Sequence, residues 1–100
     1  MSRLDRDALV AAVAEAVGAS ADDSGAADLV FEKGSIVVAA SAEELKGAFK
    51  RVKKIDGYRW VAINRADLFG ANPLSLGSKA GIIDAHGEIL KNADIPRKKV

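Results

Sequence analysis

The hydrophobic positions divide the chain into short elements of two different periods. Residues 3–17 read as a helix: Leu9, Val13, Ala16 and Val17 recur at helical spacing, Val10 and Ala14 widen the stripe, and Gly18 follows as a stop. Ser2 and Asp5 stand at capping-box spacing, and Asp5 and Asp7 complement the positive end of the helix dipole. Residues 19–28 show no periodicity and predict a flexible acidic connection. Leu29 to Phe31 and Ile36 to Ala39 predict two strands turned at Lys33-Gly34. A capping box at Ser41-Ala42-Glu43-Glu44 then opens a second helix, with Leu45, Ala48, Phe49, Val52 and Ile55 on its buried face.

Asp56-Gly57 ends that helix, and residues 58–64 predict a strand rich in aromatic and β-branched side chains. On this strand Tyr58, Trp60 and Ala62 alternate with Arg59, Val61 and Ile63, and the second set suits packing under Phe49 and Val52. Residues 65–79 contain Gly70, Asn72-Pro73 and Gly77, and predict an irregular connection with at most one helical turn at 66–69. A hairpin closes the pattern: 81–83, a turn at Asp84-Ala85-His86-Gly87, then 88–90. The order helix, two strands, helix, strand, loop, two strands predicts one α+β domain over residues 1–100. Its expected sheet is mainly antiparallel, with four or five strands and both helices on one face. Residues 97–100 form a short basic tail.

Composition changes this picture in two ways. Alanine dominates the apolar residues, so the core should be thin and Trp60 should carry much of it. The formal net charge of +1 also conceals a division. Residues 1–44 hold nine acids and three bases, while residues 45–100 hold five acids and twelve bases. Such polarity favours self-association or a charged partner addressed by one half. There is no cysteine, which excludes disulfides and thiolate metal sites, and the single histidine removes most catalytic dyads. No apolar run is long enough to span a bilayer and residues 4–17 are too charged for a signal peptide, so the expectation is a cytoplasmic protein without membrane contact.

Candidate chemistry is sparse. Lys46, Lys50, Arg51, Lys53 and Lys54 surround the apolar stripe of the second helix, with Arg59 beyond it and Arg97, Lys98 and Lys99 in the tail. These are the residues that would contact nucleic-acid phosphates, if they do more than keep a helix face solvated. Gly57, Tyr58, Trp60 and Val61 partly resemble the aromatic sheet motif of RNA-recognition-motif domains, which would imply base stacking. Asp56, Arg59 and Ile63 depart from that motif, and no aromatic stands on the strand before the second helix. Asp84, His86 and Glu88 are explained by a turn better than by a metal site, and Gly77-Ser78-Lys79 lacks phosphate-loop spacing.

The expectation is a non-catalytic protein-interaction module: a small adaptor, inhibitor or assembly subunit of the kind common in phages and mobile elements. It needs no catalytic residue, metal or cofactor. Val10, Ala14, Tyr58 and Trp60 are its candidate partner-binding residues, and self-association through the apolar first helix is one form it could take. The alternative is a nucleic-acid-binding domain that uses the second helix.

Overall fold

A computed structural model describes residues 3–94. The described residues form an α+β fold with three α-helices and a six-stranded mixed sheet. Helix α1 spans Arg6–Val17, and strands β1 (Ser20–Ala21), β2 (Leu29–Phe31) and β3 (Gly34–Ala39) follow. Helix α2 spans Ala42–Val52, β4 Arg59–Ile63, α3 Leu68–Ser78, β5 Gly81–Ile83 and β6 Ile89–Lys91. The spatial order equals the chain order, β1-β2-β3-β4-β5-β6.

The pairing departs from the antiparallel expectation at the centre. Strands β3, β4 and β5 run parallel, with Ile36 opposite Trp60 and Trp60 opposite Gly81, while only the outer pairs are antiparallel. Parallel neighbours require a crossover, and right-handed crossovers in one direction place α2 and α3 on the same face of the sheet. Helix α1 covers the opposite face. The sheet is therefore packed on both sides, and its central strands are apolar at consecutive positions: Ile36 to Ala40, Val61 to Ile63 and Ala80 to Ile83 are all buried.

Each face has its own core. Leu9, Val13, Leu29, Ile36, Val38, Trp60, Ala62 and Ile83 pack under α1. Leu45, Phe49 and Val52 of α2 and Ala71 of α3 pack on Val37, Val61, Ile63 and Ile82. The alternation read along β4 is thus the observed one, with Val61 and Ile63 under α2 and Trp60 and Ala62 under α1. Trp60 is only 4% exposed; its ring meets Phe31 edge-on at 5.9 Å, and its indole Nε1 donates to the Lys33 carbonyl at 2.9 Å. A side chain at Gly81 would strike the indole, so that glycine makes room for the core's largest residue.

Two segments read as irregular are ordered. Between β1 and β2, the Asp22 carboxylate accepts from the amides of Ser24 and Ala27 at 3.0 and 2.9 Å. Those bonds, Ala27 first, lower the Asp22 pKa from the ordinary carboxylate value. Arg51 reaches back from α2 to the carbonyls of Gly25 and Ala26 and to Asp28. Residues 65–78, expected as a loop, form a 3-10 turn at Arg65–Asp67 that runs directly into α3. Pro73 lies inside α3, where it cannot donate to the Phe69 carbonyl. The helix ends at Lys79, which takes a left-handed φ of 62° and donates its amide to Ser75 at 3.0 Å.

Three outcomes follow from this packing. Trp60→Ala should lose about 3–5 kcal/mol in chemical denaturation, since a cavity adds to the lost transfer energy. Lys79→Gly should raise stability by up to about 1 kcal/mol, because a left-handed conformation costs a side-chain-bearing residue roughly 1–2 kcal/mol. For Asp22, a folded pKa below the unfolded one means stability that is present above the unfolded value and lost as pH falls through the folded one. Protection of the Ala27 amide, its intrinsic exchange rate relative to the observed rate at each pH, should therefore fall over that acidic window and stay constant there in Asp22→Asn.

Candidate functional site

Four places in the fold concentrate polar or exposed apolar groups. The first lies where β2 and β3 meet α1 and α2. Arg6 donates to Glu44 and the Val38 carbonyl at 3.0 Å and to Asp28 at 3.2 Å, while Arg51 donates to the other Asp28 oxygen at 2.9 Å. Asp28 also accepts from the Val38 amide at 2.8 Å. Two guanidinium groups and two carboxylates satisfy one another, and they tie the acidic first part of the chain to Arg51 of the basic second part.

The second is a cleft of about 700 Å³ at the carboxyl ends of β4 and β5, the position where open sheets with parallel strands commonly take ligands. Arg3, Leu4, Asn64, Arg65, Asp84 and His86 are among its lining residues. Apart from the exposed His86 ring, its polar side chains are already engaged. The Asn64 amide donates to the Leu4 and Ala40 carbonyls and accepts from the Leu4 amide, fastening the segment before α1 to the sheet. Arg3 grips both oxygens of the buried Asp67, a pairing that raises the arginine's pKa. Arg65 contacts Glu88 at 3.0 Å and Asp84 at 3.5 Å, and Asp84 in turn accepts from the amides of His86 and Glu88. Among the described residues, no group of three or more His, Cys, Asp and Glu side chains is placed to hold a metal ion.

A third hollow of about 550 Å³ is lined by Lys33, Tyr58, Trp60, Ile89 and Ala93 among others. Of the two aromatic candidates, Tyr58 is 45% exposed and Trp60 forms part of the floor. Because α1 covers that face of the sheet, Trp60 offers no stacking platform of the kind the RNA-recognition resemblance would imply. Val10 and Ala14 are half-buried against the core under α1 and so are largely used within the domain.

The fourth place is the outer surface of α2 and α3. Lys46, Lys50, Lys53 and Lys54 are exposed there. Two other members of the basic set are committed: Arg51 as described, and Arg59 to the carbonyls of Ile55 and Ser78 at 3.2 and 2.9 Å, near the ends of both helices. Arg97, Lys98 and Lys99 lie outside the described residues. Helix α3, by contrast, carries no charged residue at all. It buries Ala71, Ser75 and Ser78 and turns Phe69, Pro73 and Leu76 outward, with Phe69 95% and Leu76 71% exposed. A hollow of about 720 Å³ beside Phe69 is lined by Arg65, Ala66, Leu68, Asn72 and Pro73.

Comparison with protein-family models, curated proteins and solved structures finds no match to this chain. Its site must be judged on physical grounds. No described helix is long and apolar enough to cross a membrane.

Sequence reasoning missed Phe69 and Leu76. They stand seven residues apart with Pro73 between them, which is a helical face once the segment is helical. The available signal was the total absence of charge over residues 68–78, unusual for a connection that should be solvated.

If the charge network is structural, Asp28→Ala should destabilise the domain by about 1–3 kcal/mol, because the Val38 amide and two partly exposed arginines lose their acceptor. Equilibrium unfolding of the variant measures this, and a much smaller loss would make Asp28 available for another role.

Proposed function

We propose that this chain is a protein-interaction module that docks its partner on the outward ridge of α3, without chemistry of its own. The supporting observation is the exposure of Phe69 and Leu76 on a helix that carries no charge. Burying a phenylalanine or leucine side chain is worth about 1.5–3 kcal/mol, so leaving both in water forgoes several kcal/mol that a partner can recover. Large apolar side chains grouped on one surface are the usual core of an interface. The paired state of every charged side chain in the carboxyl-end cleft supports a structural role for that cleft.

Nucleic acid is the second reading, favoured by four exposed lysines, Lys46 and Lys50 on α2 and Lys53 and Lys54 just after it. Counterion release would make such binding fall steeply with salt. Against it, Arg51 and Arg59 are bound internally, and Phe69 would face phosphates with nothing to offer them. Gel retardation at low salt is its direct test: no shift of DNA or RNA is expected.

The docking ridge is tested in cells with a photo-crosslinking residue placed at position 69, 76 or, on the opposite face, at Ala11. Adducts of one discrete mass should form from 69 and 76 and not from 11. An adduct of twice the chain's mass would identify the partner as a second copy. Equal labelling from all three positions, or none from any, would sink the reading. Phe69→Ser with Leu76→Ser should change thermal stability little, since both side chains are exposed.

A further inference from the structure

The surroundings of the α3 ridge specify the chemistry of what sits on it, and this inference rests on the docking reading above. Side chains advance by about 100° per residue around a helix. On α2, Arg51 points toward the β2 side of the sheet, where it holds Asp28. Lys46, Lys50 and Lys53 lie on the other flank, turned toward α3, and all are exposed. On α3, Gly70 faces α2: a Cβ there would lie 3.3 Å from Leu45 Cδ1. Gly77 is two turns further along the same flank, and a Cβ there would meet nothing within 4 Å. The two helices are thus divided on the outside by a furrow that Leu45 fills beside Gly70 and that is open over Gly77. One wall is a row of lysines, and the other is the ridge of Phe69, Pro73 and Leu76. Beyond the ridge the next cation is Arg65, which lines the hollow beside Phe69. Asp67, just before α3, is buried against Arg3, and Glu43 in the first turn of α2 is the exposed acid beside the lysine row, which keeps a net positive charge.

We infer that the furrow between α2 and α3 receives an acidic amphipathic helix from a partner protein, its apolar face on Phe69 and Leu76 and its carboxylates along Lys46, Lys50 and Lys53. A partner helix can lay its apolar stripe along Phe69 and Leu76, which stand two turns apart on α3, with one flank on the lysines. The charge selects acid over base, since juxtaposing like charges across an interface is costly. A second copy of this chain fits less well. Its acidic helix is α1, whose large residues Leu9 and Val13 are already fully buried in its own core. Helix-in-groove docking reads such a partner by anchors spaced i, i+3, i+4 and i+7.

The test uses the whole chain and two labelled helical peptides, one of Leu anchors with Glu elsewhere and one with Lys replacing every Glu, in fluorescence anisotropy. The Glu peptide should bind at least about tenfold more tightly than the Lys peptide at low salt. The preference should shrink as salt shortens the screening length to about 3 Å at 1 M. Lys46→Glu with Lys50→Glu and Lys53→Glu should reverse the preference while the protein remains folded by circular dichroism. Phe69→Ser with Leu76→Ser should abolish binding of both peptides.

Equal binding of the two peptides, or a preference that survives the triple charge reversal, overturns the acidic assignment while leaving the ridge as a docking site. Failure of both peptides to bind, with crosslinking from position 69 intact, does the same. Loss of that crosslinking removes the docking reading itself. Lysine-dependent sedimentation with phosphatidylserine vesicles but not with the Glu peptide would assign the surface to a membrane. Concentration-dependent dimerisation lost in the Phe69, Leu76 variant would assign it to a second copy, and either result overturns the inference.

Discussion

Parallel pairing of β3, β4 and β5 is the constraint from which the rest of the architecture follows. Each parallel step must be bridged by a segment long enough to return along the sheet, and the bridges here are α2 and the turn-plus-helix ending in α3. Both returns cover one face, so the other face is left to α1. With helices on both sides, the three strands have no solvent side, which is why Ile36 to Ala40, Val61 to Ile63 and Ala80 to Ile83 are apolar without alternation. The polar residues that follow at the strand ends, Asn64 and Asp84, are buried as well and are satisfied by carbonyls, amides and Arg65 rather than by water.

The small residues of this core are used to bring elements close together. Ala39, Ala62, Ala71 and Ala80 are almost fully buried, and each removes bulk between sheet and helix. Gly81 carries this furthest, giving up its side chain to the Trp60 ring. Leucine and isoleucine fill much of the core between these small residues, and the one buried indole adds an edge-on phenylalanine and a carbonyl for its N–H. At α1, the partly buried Val10 and Ala14 pack on the core of their own domain.

Charge is divided in the same economical way. The acidic first part and the basic second part of the chain meet inside the molecule: Arg51 crosses to Asp28, and Arg65 turns to Asp84 and Glu88 within its own half. The arginines, whose planar forks suit fixed bidentate bonding, are the residues drawn into structure, and the α2 lysines are left at the surface. The lysines of α2 and the apolar ridge of α3 are left at the surface on the face away from α1.

The sequence by itself determined those elements whose periodicity is written in contrasts of polarity. The outer hairpins carry glycine turns, and helix α2 carries a capping-box pattern and an apolar stripe among lysines. Its lysines were legible as a surface for the same reason. Helix α3 has no such contrast, because its outward face is as apolar as its inward one and Gly70, Pro73 and Gly77 argue locally against a helix. Only the tertiary structure decided it: a parallel return from β4 to β5 needs a rigid crossover, and the packing of Ala71 and Ser75 against the sheet outweighs the proline. Strand direction and β1 were decided the same way, since hydrogen bonding between distant strands leaves no mark in local periodicity. Phe69 and Leu76 became a surface only when that helix formed, because an apolar residue in a loop has no defined face, and the sheet, not the local sequence, supplies one.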